Sequence, residues 1–240
     1  MAKPFSEWTV LAHGQLTQLD DNLLSVTGAL PMPIGSFPRR MTVVRLSDGR
    51  LVVYSAIALD DDEMRALEQF GTPAHLIVPN DLHRMDAKIW KDRYPDLIVV
   101  APEGVREKVE TIVPVDRTSV EFHDPRVQFV TVPGTAEREA ALVVRTATGT
   151  TLIVNDVIWN VQDRPGFGGW LYAALGFTGS EPQIPKVVEL RGIRDKAALR
   201  DQLEAWSRLE GLNRIIVSHG NIVTRDPSRV LEQLAKDLAA

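Results

Sequence analysis

The sequence predicts an α+β domain built from two β-sheets with helices on the outside. Three observations support this prediction: the first third of the chain is rich in strand patterns, a β-α-β-α stretch follows, and a second run of strands precedes helices around a final strand. Layers of this kind bury their apolar faces against one another. The 240 residues contain no repeat of fixed period and no convincing linker, so we expect a single domain, residues 1–240.

The first third of the chain is expected to form strands. Residues 21–26, 41–46 and 51–55 are continuously apolar or alternate between apolar and polar, which is typical of strands. The pair Asp48-Gly49 separates the last two of these segments and is a strong hairpin signal. Residues 31–40 contain three prolines and a glycine, so we expect a loop there.

Helices are predicted where apolar residues recur at helical spacing between start and stop signals. The first begins with acidic residues at 60–63 and ends at Gly71. A second carries Ile89 and Trp90 and ends before Tyr94-Pro95. A short helix is expected at 103–109, an amphipathic one at 196–209 and a last one at 227–238. Residues 119–158 are interpreted as a meander of strands and residues 160–195 as irregular.

The composition excludes several kinds of function. A net charge of −5 argues against nucleic acid as a partner. The chain has no cysteine, so a metal site must use His, Asp, Glu or Asn. No apolar stretch approaches the roughly 20 residues that a membrane span needs, and the N-terminus lacks the apolar core of a signal peptide. We therefore expect a cytoplasmic protein that does not bind membranes.

Three apolar runs each end on polar residues that can bind a metal. Residues 76–78 lead into Asn80, Asp81 and His83, residues 152–154 into Asp156, and residues 215–217 into His219. Catalytic and ligand-binding groups collect in loops at strand ends, where a rigid scaffold fixes them. Taken singly, each residue also has a structural explanation, as a loop cap, an Asx turn or a partner of backbone. Together they predict a site.

The order of elements and these junctions resemble the metallo-β-lactamase fold, and more closely the uncharacterised DUF4336-type proteins with that fold. The resemblance covers roughly residues 20 to 225. It implies a four-layer αββα sandwich, with two mixed β-sheets flanked by helices. The family's first junction reads His-x-His-x-Asp-His, and its positions fall on Val78, Asn80, Leu82 and His83.

The same resemblance implies that one of two metal positions has been lost. The family's first metal is held by two early histidines and a histidine after Pro-Gly, and these positions are Val78, Asn80 and Thr135 here. The second is held by an aspartate and a histidine of the first junction, a bridging aspartate and a final histidine. His83, Asp156 and His219 match three of those four positions, and Leu82 replaces the other. The motif is thus degenerate.

Two functions remain open at this stage. In the first, one divalent ion (zinc, iron or manganese) is held by His83, Asp156 and His219. Such an ion lowers the pKa of bound water to about 7, which suits a hydrolase of a small ester- or lactone-type substrate. Asp81 and Asp156 are then the predicted catalytic residues, and Asn80 and Thr135 are predicted to bind substrate. In the second, the protein is catalytically silent and keeps the fold for binding or regulation.

Two further segments have open interpretations. The pair Arg39-Arg40 is interpreted as part of a solvated loop, and binding of an anionic substrate is the alternative. The aromatic stretch 170–172, with Phe167 and Phe177, is expected to pack in the core, with a pocket wall or a homodimer contact as alternatives. A small-molecule substrate or ligand is the expected partner.

Overall fold

The first β-sheet is mixed and has six strands. The computed structural model describes residues 3–32, 35–163, 173 and 176–239. The strands of this sheet lie side by side in chain order: β1 (Thr17–Asp20), β2 (Leu23–Met32), β3 (Gly35–Arg45), β4 (Arg50–Tyr54), β5 (Thr72–Ile77) and β6 (Ile98–Val100). Strands β1 to β4 pair antiparallel, whereas β4, β5 and β6 pair parallel. The carboxyl ends of β4 and β5 therefore meet at one edge.

The second sheet is also mixed and has four strands. Its order is β10-β9-β8-β7, with β7 at Val127–Thr131, β8 at Ala140–Thr146, β9 at Gly149–Val154 and β10 at Leu212–Val217. The pair β9–β10 is parallel and the other two pairs are antiparallel. Residues that follow β9 and β10 thus leave the sheet at the same edge.

Helices cover the outer face of each sheet. They are α1 (Asp61–Phe70), α2 (Ala87–Arg93), α3 (Arg106–Glu110, after a 3₁₀ turn at Glu103–Val105), α4 (Lys186–Arg191), α5 (Lys196–Ser207) and α6 (Pro227–Ala239). The predicted ends of α1 are confirmed: the Asp60 side chain accepts a 3.0 Å hydrogen bond from the Glu63 amide, and Gly71 caps the other end. None of the described helices is long and apolar enough to cross a membrane.

Strand alternation sorts the core into three apolar layers. On β4, Leu51 and Val53 contact the helices of the first sheet, whereas Val52 and Tyr54 lie between the two sheets. On β10, Ile216 lies between the sheets and its neighbours face the helices of the second sheet. The order of layers is helix, sheet, sheet, helix, so the predicted αββα sandwich is confirmed.

The prediction of a loop at residues 31–40 was wrong. Strands β2 and β3 form one long hairpin whose register continues to the pair Met32 and Gly35. Pro31 and Pro38 stand near the turn end of the hairpin, opposite Ser36 and Ala29, beyond the residues of β2 and β3 that pair with β1 and β4. The meander predicted for residues 119–158 begins later than expected, because residues 119–122 have no regular structure and the first strand is β7. In the hairpin, pairing between β2 and β3 outweighed the loop-like composition.

Candidate metal centre

Three loops from the two sheets bring His83, Asp156 and His219 together. His83 follows β5 of the first sheet, while Asp156 and His219 follow β9 and β10 of the second. Their side chains are at least 91% buried. The Nε2 atoms of the two histidines are 3.0 Å apart, and Asp156 Oδ1 lies 3.4 Å from His83 Nε2 and 3.1 Å from His219 Nε2. We call these residues the triad.

Each imidazole is oriented by a bond to its other nitrogen. The Nδ1 atom of His219 lies 2.7 Å from the Pro38 carbonyl oxygen. Because a carbonyl only accepts, Nδ1 is the donor of this bond, and Nε2 faces the other two residues of the triad. His83 Nδ1 lies 2.8 Å from Ser55 Oγ. Bonds of this kind fix the ring orientation of metal-binding histidines.

The Asp156 carboxylate is held at both oxygens. Trp159 Nε1 donates to Oδ1 at 3.1 Å, and Asn80 Nδ2 donates to Oδ2 at 2.7 Å. Burial would raise the pKa of Asp156, but His83 and His219, which both lie next to the carboxylate, outweigh burial and hold the pKa well below its ordinary value. Asp156 is therefore ionised and supplies the negative charge that a cation requires.

A second buried acid, Glu139, lies beside the triad. It accepts from Asn80 Nδ2 at 2.6 Å and from Asn155 Nδ2 at 3.3 Å. Burial, together with the nearby charge of Asp156, raises the pKa of Glu139 well above its ordinary value. The Asn80 amide nitrogen therefore links two buried acids whose pKa values are shifted in opposite directions.

Local backbone structure positions the two histidines. Asn80 Oδ1 accepts from the amides of Leu82 and His83 at 2.9 and 3.1 Å, an Asx-type turn that directs His83 inward. Gly220, after His219, has φ of +97°, and a Cβ there would lie 2.0 Å from the Asn160 carbonyl oxygen. Only glycine fits this turn.

The end of β10 is also tied to the first sheet. Arg40 donates to the carbonyl oxygens of Val217 and Gly220, at 3.2 and 2.8 Å, and to Ser25 Oγ at 2.9 Å. Burial lowers the pKa of Arg40 to about 10, so the side chain still carries its charge near neutral pH. It therefore fixes the segment that presents His219. Its interpretation as part of a solvated loop was wrong, since Arg40 is 8% exposed.

The geometry and the donor set of the triad fit one divalent ion. Ligand atoms 2.0–2.1 Å from zinc at tetrahedral angles are about 3.3 Å apart, and the three separations here are 3.0 to 3.4 Å. Burial lowers the pKa of His83 despite the opposing effect of Asp156, so the ring is neutral and able to bind a metal. Among the described residues, these three form the group of His, Asp and Glu that could hold an ion.

The other predicted site residues lie around the triad. Asp81 accepts from Lys108 Nζ at 2.7 Å and from Arg138 Nη2 at 3.1 Å. Thr135 Oγ1 donates to the Val132 carbonyl oxygen at 2.7 Å, and the residue is 1% exposed. The catalytic role of Asp81 and the substrate-binding roles of Asn80 and Thr135 stay predictions.

A cavity of about 580 Å³ opens beside the triad. His83, Asp156 and His219 form part of its wall, and Asp81 does too, whereas Asn80 and Thr135 are not in the wall. Most of the remaining wall is apolar: Leu30, Pro31, Met32, Phe37, Leu82, Met85 and Trp159. The volume is within the range of about 300–1,000 Å³ usual for small-molecule sites.

The sequence-based prediction missed several partners of the triad. Ser55 follows the apolar run 51–54, so it is a fourth strand-end junction that the same criterion could have found. It has φ of +57°, which is uncommon for a residue other than glycine. No local signal marks Glu139 or Trp159. Within the aromatic stretch, Phe177 stacks on Trp159 at 5.8 Å, while residues 167 and 170–172 lie outside the described residues.

The chain resembles solved metallo-β-lactamases over nearly its whole length. It aligns with FIM-1 from Pseudomonas aeruginosa, in its mono-zinc form, with a TM-score of 0.63, 12% identity and coverage of 95% of this chain and 96% of that chain. For DIM-1 exposed to ceftazidime the TM-score is 0.64, the identity 13% and the coverage 97% and 100%. The chain therefore has the metallo-β-lactamase fold. No family model matches the sequence, and no curated protein matches it.

Proposed function

We propose that the protein is a mononuclear metal-dependent hydrolase that acts on a small ester- or lactone-type substrate. The observation that carries the proposal is the convergence of two imidazole Nε2 atoms and one carboxylate oxygen within 3.4 Å of one another at the wall of a cavity. One solved structure with this fold is a mono-zinc form of FIM-1, so the fold can hold a single ion.

In this proposal the triad binds the metal, and the residues around it orient the ligands. His83, Asp156 and His219 would hold the ion, and a bound ion would supply Lewis acidity and lower the pKa of a water molecule. Ser55 and the Pro38 carbonyl keep the two rings in place. Trp159 and Asn80 hold the carboxylate, and the apolar wall of the cavity excludes water from the substrate.

Elemental analysis of protein purified without chelator tests metal binding. We expect nearly one equivalent of zinc, iron or manganese in the wild type and almost none in His83→Ala or His219→Ala. His123→Ala is the matched control, because the His123 side chain is 81% exposed and lies outside the triad. No metal in the wild type after incubation with each of the three ions would contradict the proposal.

Hydrolysis assays test the reaction. The metal-loaded protein is assayed against 4-nitrophenyl esters of increasing chain length and against small lactones, with the chelated protein as control. We expect turnover that is lost on chelation and restored by the metal found in the purified protein. Stoichiometric metal without turnover on either substrate class would reject the hydrolase proposal.

A second candidate is a catalytically silent binding or regulatory protein. The specific observation in its favour is that the triad is also hydrogen-bonded internally, with the two Nε2 atoms 3.0 Å apart. A neutral His83 that donates from Nε2 would satisfy His219 without an ion. Absence of metal together with ligand binding in the cavity would support this candidate.

A further inference from the structure

We propose that the cavity binds a small molecule with a carboxylate group and an apolar body, and that Arg39 recognises the carboxylate. The inference names the substrate class of the proposed function, and it rests on that function for the statement that the cavity holds substrate. Its direct observation is a buried guanidinium in the cavity wall with two donors that have no partner among the described residues.

Arg39 lies on β3 and is 7% exposed, so it is not part of a solvated loop. Its Nη1 atom donates to Asp86 Oδ2, and Asp86 Oδ1 accepts from the Ala58 amide at 3.0 Å. The carboxylate of Asp86 is therefore engaged at both oxygens. The Nε and Nη2 atoms of Arg39 are shielded from bulk water and have no hydrogen-bond partner within the described part of the chain.

Burial alone does not explain why two donors of Arg39 lack partners, as the neighbouring Arg40 shows. Arg40 is buried to a similar extent, and its Nε, Nη1 and Nη2 atoms all donate to oxygen atoms. A buried donor without a partner costs about 1–3 kcal/mol, and more when the group is charged. Two such donors on one guanidinium therefore mark a position where an acceptor is missing.

The two free donors select a carboxylate. Nε–H and Nη2–H lie on the same side of the guanidinium and form a fork that matches the two oxygens of a carboxylate. Arg39 already shares its charge with Asp86, and Asp156 lies in the same cavity wall. A monoanion is therefore favoured over a phosphate dianion, which both carboxylates would repel.

The rest of the wall suits an apolar body. Met32 and Leu82 are exposed by 41% and 59%, unusually for such side chains, and both line the cavity. Phe37 and Trp159 lie against each other in the wall with ring centroids 5.2 Å apart. Besides the triad and Arg39, the wall carries the charged side chains of Asp81, Arg84 and Asp86, and most of the rest is apolar.

Binding to metal-free protein tests the inference without depending on catalysis. Calorimetric titrations with octanoate, 1-octanol and octyl phosphate are made on chelated, dialysed wild type. We expect octanoate to bind at least about tenfold more tightly than 1-octanol, since a hydrogen bond to a charged group contributes about 1.5–3 kcal/mol. Octyl phosphate should bind more weakly than octanoate.

Two variants that differ only at Arg39 provide the matched comparison. Asp86→Asn frees the guanidinium of its carboxylate partner, so the preference for octanoate over 1-octanol should persist or grow. The double variant Arg39→Met/Asp86→Asn removes both members of the buried ion pair and should lose the preference. Arg39→Lys keeps a charge without the fork and should bind octanoate at least about fivefold more weakly than wild type. Thermal unfolding verifies that each variant is folded.

Equal affinities for octanoate and 1-octanol in wild type would overturn the inference, as would an octanoate affinity unchanged by loss of Arg39. Tighter binding of octyl phosphate than of octanoate would overturn the carboxylate assignment. Because these titrations use metal-free protein, they can succeed when no metal or turnover is found, and they can fail in an active metalloenzyme. Failure of this inference is thus distinguishable from failure of the proposed function.

Discussion

The two sides of the site differ in what their residues contact. On one side, which we call the retained side, His83, Asp156 and His219 direct donor atoms at one another and line the cavity. The other side, which we call the replaced side, comprises Val78, Asn80 and Thr135, where the family resemblance implied further metal ligands. Val78 and Thr135 contact other parts of the fold, whereas Asn80 contacts the triad.

Each residue of the replaced side has a structural partner. Val78 is 1% exposed and belongs to the apolar layer between the first sheet and its helices. Thr135 closes its turn through the Val132 carbonyl oxygen. Asn80 supports the retained side directly, because it holds both Asp156 and the turn that carries His83. The comparison teaches that a polar residue beside the triad, Asn80, can hold its carboxylate and the turn before its histidine.

The largest expected effect is that of Asn80→Ala, which removes the link between the two sides. Asp156 and Glu139 would lose a buried donor, and the turn before His83 would lose its cap. We expect a loss of about 2–4 kcal/mol in the free energy of unfolding and a fall in metal affinity of about 10–100-fold. Urea unfolding and competition with a chelator measure the two quantities.

Asn155→Ala is the control for this variant. Asn155 is also buried and lies next to Asp156 in sequence, but within the described part of the chain its side-chain amide bonds to Glu139 alone, at 3.3 Å. We expect a loss of about 1 kcal/mol and little change in metal affinity. Equal metal affinities in the two variants would show that Asn80 does not support the triad.

The next prediction compares one hydroxyl from each side. Ser55→Ala removes the partner of His83 Nδ1 and should weaken metal binding about tenfold or more. Thr135→Val removes a hydrogen bond of similar length from the replaced side and should leave metal affinity unchanged, with a stability loss of about 1 kcal/mol. The same chelator competition applies to both variants. Similar metal affinities would remove the distinction between the sides.

These support contacts also show where prediction from sequence ends. The strand at 51–55, helix α1 and the strand ends before His83, Asp156 and His219 were predicted correctly, because each depends on a local sequence pattern. The Pro38 carbonyl lies 181 residues from His219 in the sequence, and Asn80 lies 76 residues from Asp156. No local rule pairs such residues. The hairpin at residues 23–45 was missed for a related reason: pairing between strands outweighed the loop-like composition of its tip.

A third prediction contrasts the triad with a buried histidine that has no support. His75 on β5 is 4% exposed, packs edge-on against Phe122, and its Nδ1 atom lacks a partner among the described residues. Burial lowers the pKa of His75 from 6.5 to about 4, and the charges of Arg50 and Arg117 add to the effect. Its neutral form is thus favoured in the folded protein.

Because the folded protein disfavours the protonated form of His75, this residue makes the protein less stable at acidic pH. The contribution of His75 to stability is complete above the unfolded-state pKa of 6.5 and is lost as the pH falls toward 4. Between pH 7 and pH 4, the free energy of unfolding should fall further in wild type than in His75→Leu, by up to about 2 kcal/mol. Urea unfolding across this range measures the difference, with His123→Ala as control. Parallel curves for wild type and His75→Leu would contradict the assignment.

The smallest expected effect is that of Asp81→Asn, at the border between the two sides. Burial would raise the pKa of Asp81, but the hydrogen bonds and charges of Lys108 and Arg138 have the larger effect and lower it. The carboxylate is therefore ionised and paired. Because its partners are partly exposed, removing the charge should cost only about 1 kcal/mol. Both oxygens already accept hydrogen bonds, so we expect an unchanged metal content and less than a tenfold change in kcat with the best ester substrate. A fall of a hundredfold or more at unchanged metal content would instead establish Asp81 as a catalytic residue and would extend the retained side to include it.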